Sequence, residues 1–235
     1  MLKLLDLFCG AGGASKGYAM AGFEVTGIDI KHGKRYPFKY IRRDVMGLTV
    51  EDLEPYDLIH ASPPCQTFSI TQHLRNAQGK GTDKLDLLEP VRDLLIKSGK
   101  PYVIENVKGA PLINAVQLCG TAFGLKVRRH RLFESNLAIK GTGCNHTTRP
   151  VGVYGSLNDE IPKGGKTAET IGQARDAMGI DWMIWGELVE AIPPAYTHYL
   201  GMQLIGLLGQ KLVTLPDGSW GVCDCVECRG SDVPV

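Results

Sequence analysis

The most reactive group in the sequence is a thiol set behind two prolines. Cys65 follows Ser62-Pro63-Pro64 at the end of an apolar run, Tyr56 to Ala61. Proline fixes φ and stiffens the turn, so the sulfur is held in place. A thiolate is the strongest simple side-chain nucleophile near neutral pH. The nearest histidine, His60, belongs to the strand itself, so a Cys–His hydrolase is not suggested; the competing reading is a buried, inert cysteine. Glu105 closes a second apolar run, Tyr102 to Ile104. A partly shielded carboxyl at a strand mouth can have a raised pKa and act as a proton donor, or it can serve as a helix cap or ion-pair partner. Lys126, Arg128, Arg129, His130 and Arg131 form a basic stretch. Strand alternation would put Arg129 and Arg131 on one face, where their forks suit phosphate or base carbonyl groups. A charged edge strand is the alternative.

A fourth feature is a glycine turn. Lys3 to Phe8 reads as a buried strand, followed by Cys9-Gly10-Ala11-Gly12-Gly13 and a helix-compatible run, Ala14 to Ala21. Glycines let a ligand approach the backbone, and the next helix offers unpaired N–H groups. Asp29, at the end of the strand Phe23 to Asp29, can accept hydrogen bonds from ribose hydroxyls. The glycines at 10, 12, 13 and 17 do not follow the dinucleotide spacing, so a turn that merely permits tight packing stays an equal reading.

These groups need a scaffold that brings strand ends together. Strands alternate with helices, including a helical pattern from Leu85 to Lys97 in which Pro90 must occupy the first turn. The expected fold is α/β, a doubly wound and mostly parallel sheet, with ligands beyond the carboxyl ends of the strands. Gly10, Asp29, Cys65 and Glu105 all fall there. From about Glu134 to Gly172 glycines become frequent, and the segment reads as a loop-rich insert too small to fold alone. Helical character returns near Gln173 to Met178, and a last helix runs from about Ala195 to Leu208. The organisation expected is a catalytic unit of residues 1–133 and 173–210, an insert of 134–172, and a cysteine-containing tail of 211–235.

Composition limits the classes of function. The 235 residues carry 26 Lys+Arg against 25 Asp+Glu, a formal net charge of +1. Nucleic-acid affinity must therefore come from local clusters rather than bulk charge. The hydrophobic fraction of 43% is globular, and no run approaches the ~18 apolar residues of a membrane span. The start lacks the pattern of a signal peptide, and the odd count of seven cysteines argues for a reducing, cytoplasmic compartment. Cys223-x-Cys225-x-x-Cys228 has metal-like spacing with three thiols, and Cys144-x-His146 could add a fourth ligand; free thiols on a mobile tail are the alternative, and no metal ligand is assigned.

Taken together and in order, Asp6-Leu7-Phe8-Cys9-Gly10-Ala11-Gly12-Gly13, Ser62-Pro63-Pro64-Cys65-Gln66, Glu105-Asn106-Val107 and Arg129-His130-Arg131 resemble the motifs of DNA cytosine-5 methyltransferases. The resemblance implies a Rossmann-like methyltransferase fold whose insert recognises the target, and S-adenosyl-L-methionine as cofactor. Phe8, Gly10, Gly12 and Gly13 would line the cofactor site, with Asp29 on the ribose, Ile30 against the adenine, Asp44-Val45 at its amino group and Pro64 nearby. Cys65 would be the nucleophile, Glu105 the acid, and Arg129 and Arg131 clamps on a flipped cytosine. The partner would be double-stranded DNA, met by a monomer in the cytoplasm of a bacterium or virus-infected cell, in a restriction-modification setting or outside one. Two positions depart from the family pattern: Val127 stands where Gln is usual, and Glu190 where Asn is usual. An RNA cytosine-5 methyltransferase and a catalytically impaired DNA- or cofactor-binding module are the alternatives. A nicotinamide oxidoreductase ranks last, because it leaves Cys65 and Glu105 without roles.

Overall fold

The computed structural model describes residues 1–31, 33–64, 86–147, 149–161, 165–209, 212–214 and 220–222. Cys65 and the tail cysteines Cys223, Cys225 and Cys228 lie outside the described residues. Five parallel strands form the body of the sheet: β1 (Lys3–Leu7), β2 (Glu24–Asp29), β3 (Lys39–Arg42), β4 (Leu58–Ala61) and β5 (Tyr102–Asn106). Two further strands, β6 (Val116–Leu118) and β7 (Arg131–Ser135), run antiparallel to their neighbours. The order is β3-β2-β1-β4-β5-β7-β6, a mostly parallel α/β sheet of the Rossmann-like methyltransferase type. The chain reverses its direction of winding between β1 and β4, so their carboxyl ends diverge and open a crevice.

The strands are apolar on both faces because helices cover both faces. Along each strand the side chains alternate between two cores. Leu4, Leu58 and Val103 pack with Tyr18, Tyr196 and Leu200, from α1 (Gly13–Ala21) and the last long helix, Pro194–Leu208. Leu5, Ile59 and Ile104 pack on the other side with Leu53, Val91 and Leu95, from the short α2 (Val50–Leu53) and α3 (Leu88–Ser98). Pro90 is the third residue of α3, where its missing N–H costs nothing, and Gly99 closes the helix in the left-handed region. α1 and the last helix approach unusually closely. A Cβ on Gly17 would lie 2.1 Å from the Pro194 carbonyl oxygen and from Thr197 Oγ1, so only glycine fits.

The antiparallel edge is tied down by charge. Arg92 on α3 donates from Nε and Nη2 to the two carboxylate oxygens of Glu134 on β7, at 2.9 and 2.8 Å, with both side chains buried. Glu134 also accepts from the Ile113 N–H at 2.8 Å. The pair is fully engaged, and removing one partner of such a pair costs about 3–5 kcal/mol. Glu134 is therefore part of the sheet, and irregular chain begins only after Ser135. Beyond that point lie a two-residue ribbon of β8 (Glu160–Ile161) and β9 (Gly165–Lys166), then α4 (Ile171–Met178), α5 (Trp185–Glu190) and the long helix already named, α6 (Pro194–Leu208). Val127, Val153, Ala174, Met178, Met183 and Leu188 make a third apolar cluster that seats this region on the sheet. An antiparallel pair, β10 (Leu212–Thr214) and β11 (Trp220–Val222), occurs within the segment expected as a polar tail. Among the described residues no helix is long and apolar enough to cross a membrane.

Candidate active site

The crevice at the carboxyl ends of β1, β2, β4 and β5 is a cleft of about 1160 Å³. It is lined by Phe8, Gly10, Gly13, Asp29, Ile30, Asp44, Val45, Ser62, Pro63, Pro64, Glu105, Arg129 and Arg131, among others. Sequence separations of a hundred residues thus close onto one cavity. Gly12 is the expected lining residue that lies elsewhere. Its φ of 85° starts α1, and a Cβ there would sit 3.0 Å from Tyr36 and Pro37, behind the cleft wall.

The turn after β1 is held open by its backbone. Phe8 and Gly10 have φ of 60° and 51°. A Cβ on Gly10 would meet nothing within 4 Å, so that position faces open cleft. The Gly10 N–H donates to Asp29 Oδ2 at 3.0 Å, and the Lys31 N–H donates to Oδ1 at 2.9 Å. Asp29 therefore fixes the glycine turn while facing the cavity. Ile30 stands 60% exposed at its rim. Asp44 caps a 3-10 turn by accepting from the Met46 N–H, and Val45 is buried beside it. The departures from the family pattern have simple surroundings. Val127 is packed in the third apolar cluster, and Glu190 reaches Lys31 Nζ at 3.3 Å in an exposed pair worth little.

Asp6 is fully buried in this wall. One carboxylate oxygen accepts from the Ser15 hydroxyl, which is 2.8 Å from the Tyr36 hydroxyl; the other, Oδ1, has no hydrogen-bond partner. Burial, aided by the charges of Asp29 and Glu105, raises its pKa to about 7. The folded state therefore binds a proton between pH 3.8 and 7 that the unfolded chain releases, and stability falls as pH rises through that window. Urea unfolding at pH 5 and pH 8 should show wild type losing roughly 2–3 kcal/mol relative to Asp6→Asn on going to the higher pH. Parallel pH dependence of the two proteins would refute this.

The other end of the cleft joins β4 to β5. Glu105 is buried, and Arg131 Nε lies 3.1 Å from its Oε1. Burial pushes the Glu105 carboxyl up, and Arg131, a hydrogen bond from Ser62, and Arg129 offset part of the effect. Asn106 Nδ2 donates to the Pro63 carbonyl at 3.2 Å and so fixes the proline turn against β5. Sequence reasoning gave Ser62 and His60 no role in the site. His60 Nε2 is 3.0 Å from Ser62 Oγ, and its Nδ1 is 3.1 Å from the Tyr18 hydroxyl. Burial drives the His60 pKa down to about 3, so the ring is neutral. With the Ser62 hydroxyl donating to Glu105, Nε2–H donates to Ser62 and Nδ1 accepts from Tyr18. The signal was present in the sequence: polar residues immediately before and after Ala61, at the end of an apolar run.

The two arginines do not share a strand face as alternation suggested. β7 begins at Arg131, and Arg129 precedes it with φ 33°, its carbonyl held by the Tyr196 hydroxyl at 2.8 Å. The Arg129 fork donates to the carbonyls of Ala191 at 2.8 Å, Val153 at 3.1 Å and Val189. It ties the loop-rich region and the end of α5 to the sheet edge. Arg131 is the arginine directed at Glu105.

A family model of C-5 cytosine-specific DNA methylases matches residues 2–114, the stretch that contains the glycine turn, the proline turn and Glu105. Over these residues, just under half of its length, the chain is similar to that family. The type II methyltransferase M.FnuDI of Fusobacterium nucleatum is 33% identical over 116 residues, covering 46% of this chain and 33% of its own length. A human tRNA (cytosine(38)-C(5))-methyltransferase is 26% identical over 138 residues, covering 51% and 35%. The chain thus spans about a third of the length of these curated relatives. The fold is shared with a solved structure of a proposed DNA modification methyltransferase encoded within an Escherichia coli prophage, at a TM-score of 0.59 and 15% identity, covering 89% of this chain and 100% of that one. Methylases of this family and fold use S-adenosylmethionine, and the cleft fits such a group. It offers an open glycine backbone, an unpartnered buried oxygen on Asp6, and acidic side chains suited to a cationic ligand.

Proposed function

We propose that the protein transfers a methyl group to carbon 5 of cytosine in double-stranded DNA, acting as a cytoplasmic monomer. The observation that carries this reading is the arrangement of Glu105, Arg131 and Ser62 beside the Pro63-Pro64 turn, which leads directly into Cys65. Phe8, Gly10, Gly13, Asp29, Ile30, Asp44, Val45 and Pro64 would hold the cofactor, with Gly12 fixing the turn from behind. S-adenosylmethionine supplies an electrophilic methyl group when bound.

The chain's own residues answer the chemical difficulty, which is that carbon 5 of cytosine is a poor nucleophile. Cys65 adds through sulfur to carbon 6 and loads electron density onto carbon 5. The Glu105 carboxyl holds a proton at ring nitrogen 3, where negative charge would otherwise collect. Arg131 orients that carboxyl, and Arg129, through its three carbonyl contacts, keeps the cleft wall closed. After methyl transfer, carbon 5 loses its proton and Cys65 is expelled. The target base must leave the stack first, at a cost of a few kcal/mol. Residues 136–172 would supply contacts to the duplex, with residues 1–135 and 173–210 as the catalytic unit and 211–235 as a separate tail.

A tRNA methylase among the relatives keeps a second substrate in view. Labelled methyl transfer from S-adenosylmethionine to duplex DNA of mixed sequence and to tRNA separates the two. Incorporation into DNA, with sites located by bisulfite sequencing, is the expected result. Incorporation into tRNA alone would overturn the DNA assignment, and incorporation into neither would overturn the activity.

A further inference from the structure

Four side chains that bear metal-binding atoms converge at the β6–β7 edge of the sheet. Cys119 follows β6 and His130 precedes β7. Leu118 pairs with Arg131 across these antiparallel strands, so the next rung sets Cys119 opposite His130. Cys144 and His146 come from the irregular chain after β7. Two bonds return that chain to β6 and the turn after it: the Thr142 N–H donates to the Gln117 carbonyl at 3.0 Å, and the Asn145 N–H donates to Thr121 Oγ1 at 3.2 Å. Cys119 Sγ lies 3.4 Å from His146 Nε2, and Cys144 Sγ lies 3.3 Å from His130 Nε2. One ligand atom from each of the four lies within 4.8 Å of the other three.

We propose that Cys119, His130, Cys144 and His146 form a structural zinc site. Bonds of about 2.3 Å to sulfur and 2.0–2.1 Å to nitrogen give a tetrahedron with edges of roughly 3.3–3.8 Å, close to the separations present. Two thiols and two imidazoles, with no carboxylate in the set, select zinc over magnesium or calcium. The set is complete with four protein ligands, as in a closed structural site rather than a catalytic one. Cys144 and His146 are exposed on a glycine-containing loop, where ordering the chain costs about 1–2 kcal/mol per residue and little apolar burial offsets it. An ion bound by four ligands supplies that stabilisation. The position gives the site a purpose. His130 stands between Arg129 and Arg131, so the ion would pin the segment that carries both arginines to the first loop of the insert.

The sequence pairing of Cys144 and His146 with the tail cysteines is thereby replaced by one with Cys119 and His130. The test is zinc content of the full chain purified under reducing conditions with zinc present, measured by mass spectrometry of the metal. About one zinc per chain is expected. Cys144→Ser and His146→Ala alter exposed side chains and should each lose most of it while remaining folded by circular dichroism. A Cys223→Ser/Cys225→Ser/Cys228→Ser variant should keep it. Cobalt exchanged into wild type should show visible ligand-field bands with thiolate charge transfer, absent from Cys144→Ser. Metal-free wild type, a Cys119–Cys144 disulfide in the reduced preparation, metal retained by both loop variants, or metal lost with the tail cysteines would each overturn the assignment.

Discussion

Glu105→Gln should lower the rate of methyl transfer by about 10²–10⁴-fold, the usual contribution of a positioned acid. Gln keeps the shape and can still accept from Arg131, but it has no proton to share with the cytosine ring. Fold stability should not fall with it. Burial raises the Glu105 pKa despite Arg131 and Ser62, so the ionised carboxylate is the disfavoured form in this pocket, and the amide resembles the neutral one. Urea unfolding at pH 8 should therefore find the variant at least as stable as wild type. The pH profile supplies a second readout. In wild type kcat/KM should fall as pH rises through the raised Glu105 pKa, and that limb should vanish in the variant. A variant with wild-type turnover would remove Glu105 from the reaction.

The second large effect concerns the thiol. Duplex DNA carrying 5-fluorocytosine should trap the wild-type chain as a covalent adduct in the presence of cofactor, because fluorine at carbon 5 cannot leave as the proton does. Cys65→Ser should form no adduct, and its turnover should fall by at least about 10³-fold, since a serine hydroxyl is almost wholly un-ionised near pH 7. An adduct of equal yield in Cys65→Ser would place the nucleophile elsewhere. Pro63 and Pro64 reach the cleft on a turn fixed by Asn106, which is the structural reason to expect the following residue to act there.

The central parts of the fold were legible because local pattern and burial agree. β1, β2, β4 and β5 are short apolar runs buried on both faces, and the helices over them carry apolar residues at helical spacing. The edge was harder. β3 reads Lys39-Tyr40-Ile41-Arg42 and is largely exposed, so it lacks the apolar run that marks its neighbours. Arg129 was misjudged as a strand residue because alternation presumes extended backbone. Its positive φ comes with tertiary contacts, the Tyr196 hydroxyl on its carbonyl and its own fork on three distant carbonyls.

The order of motifs along the chain was sufficient to propose a nucleophile and an acid and to find the family resemblance, because each motif is contiguous and its residue types are dictated by local chemistry. Which groups touch was decided only in three dimensions. The raised pKa of Asp6, the Tyr18–His60–Ser62 chain behind Glu105, and the meeting of Cys119 with His146 join residues up to 42 positions apart. No periodicity records such meetings. They follow from strand register and the seating of loops on the sheet edge, which depend on the whole core being assembled.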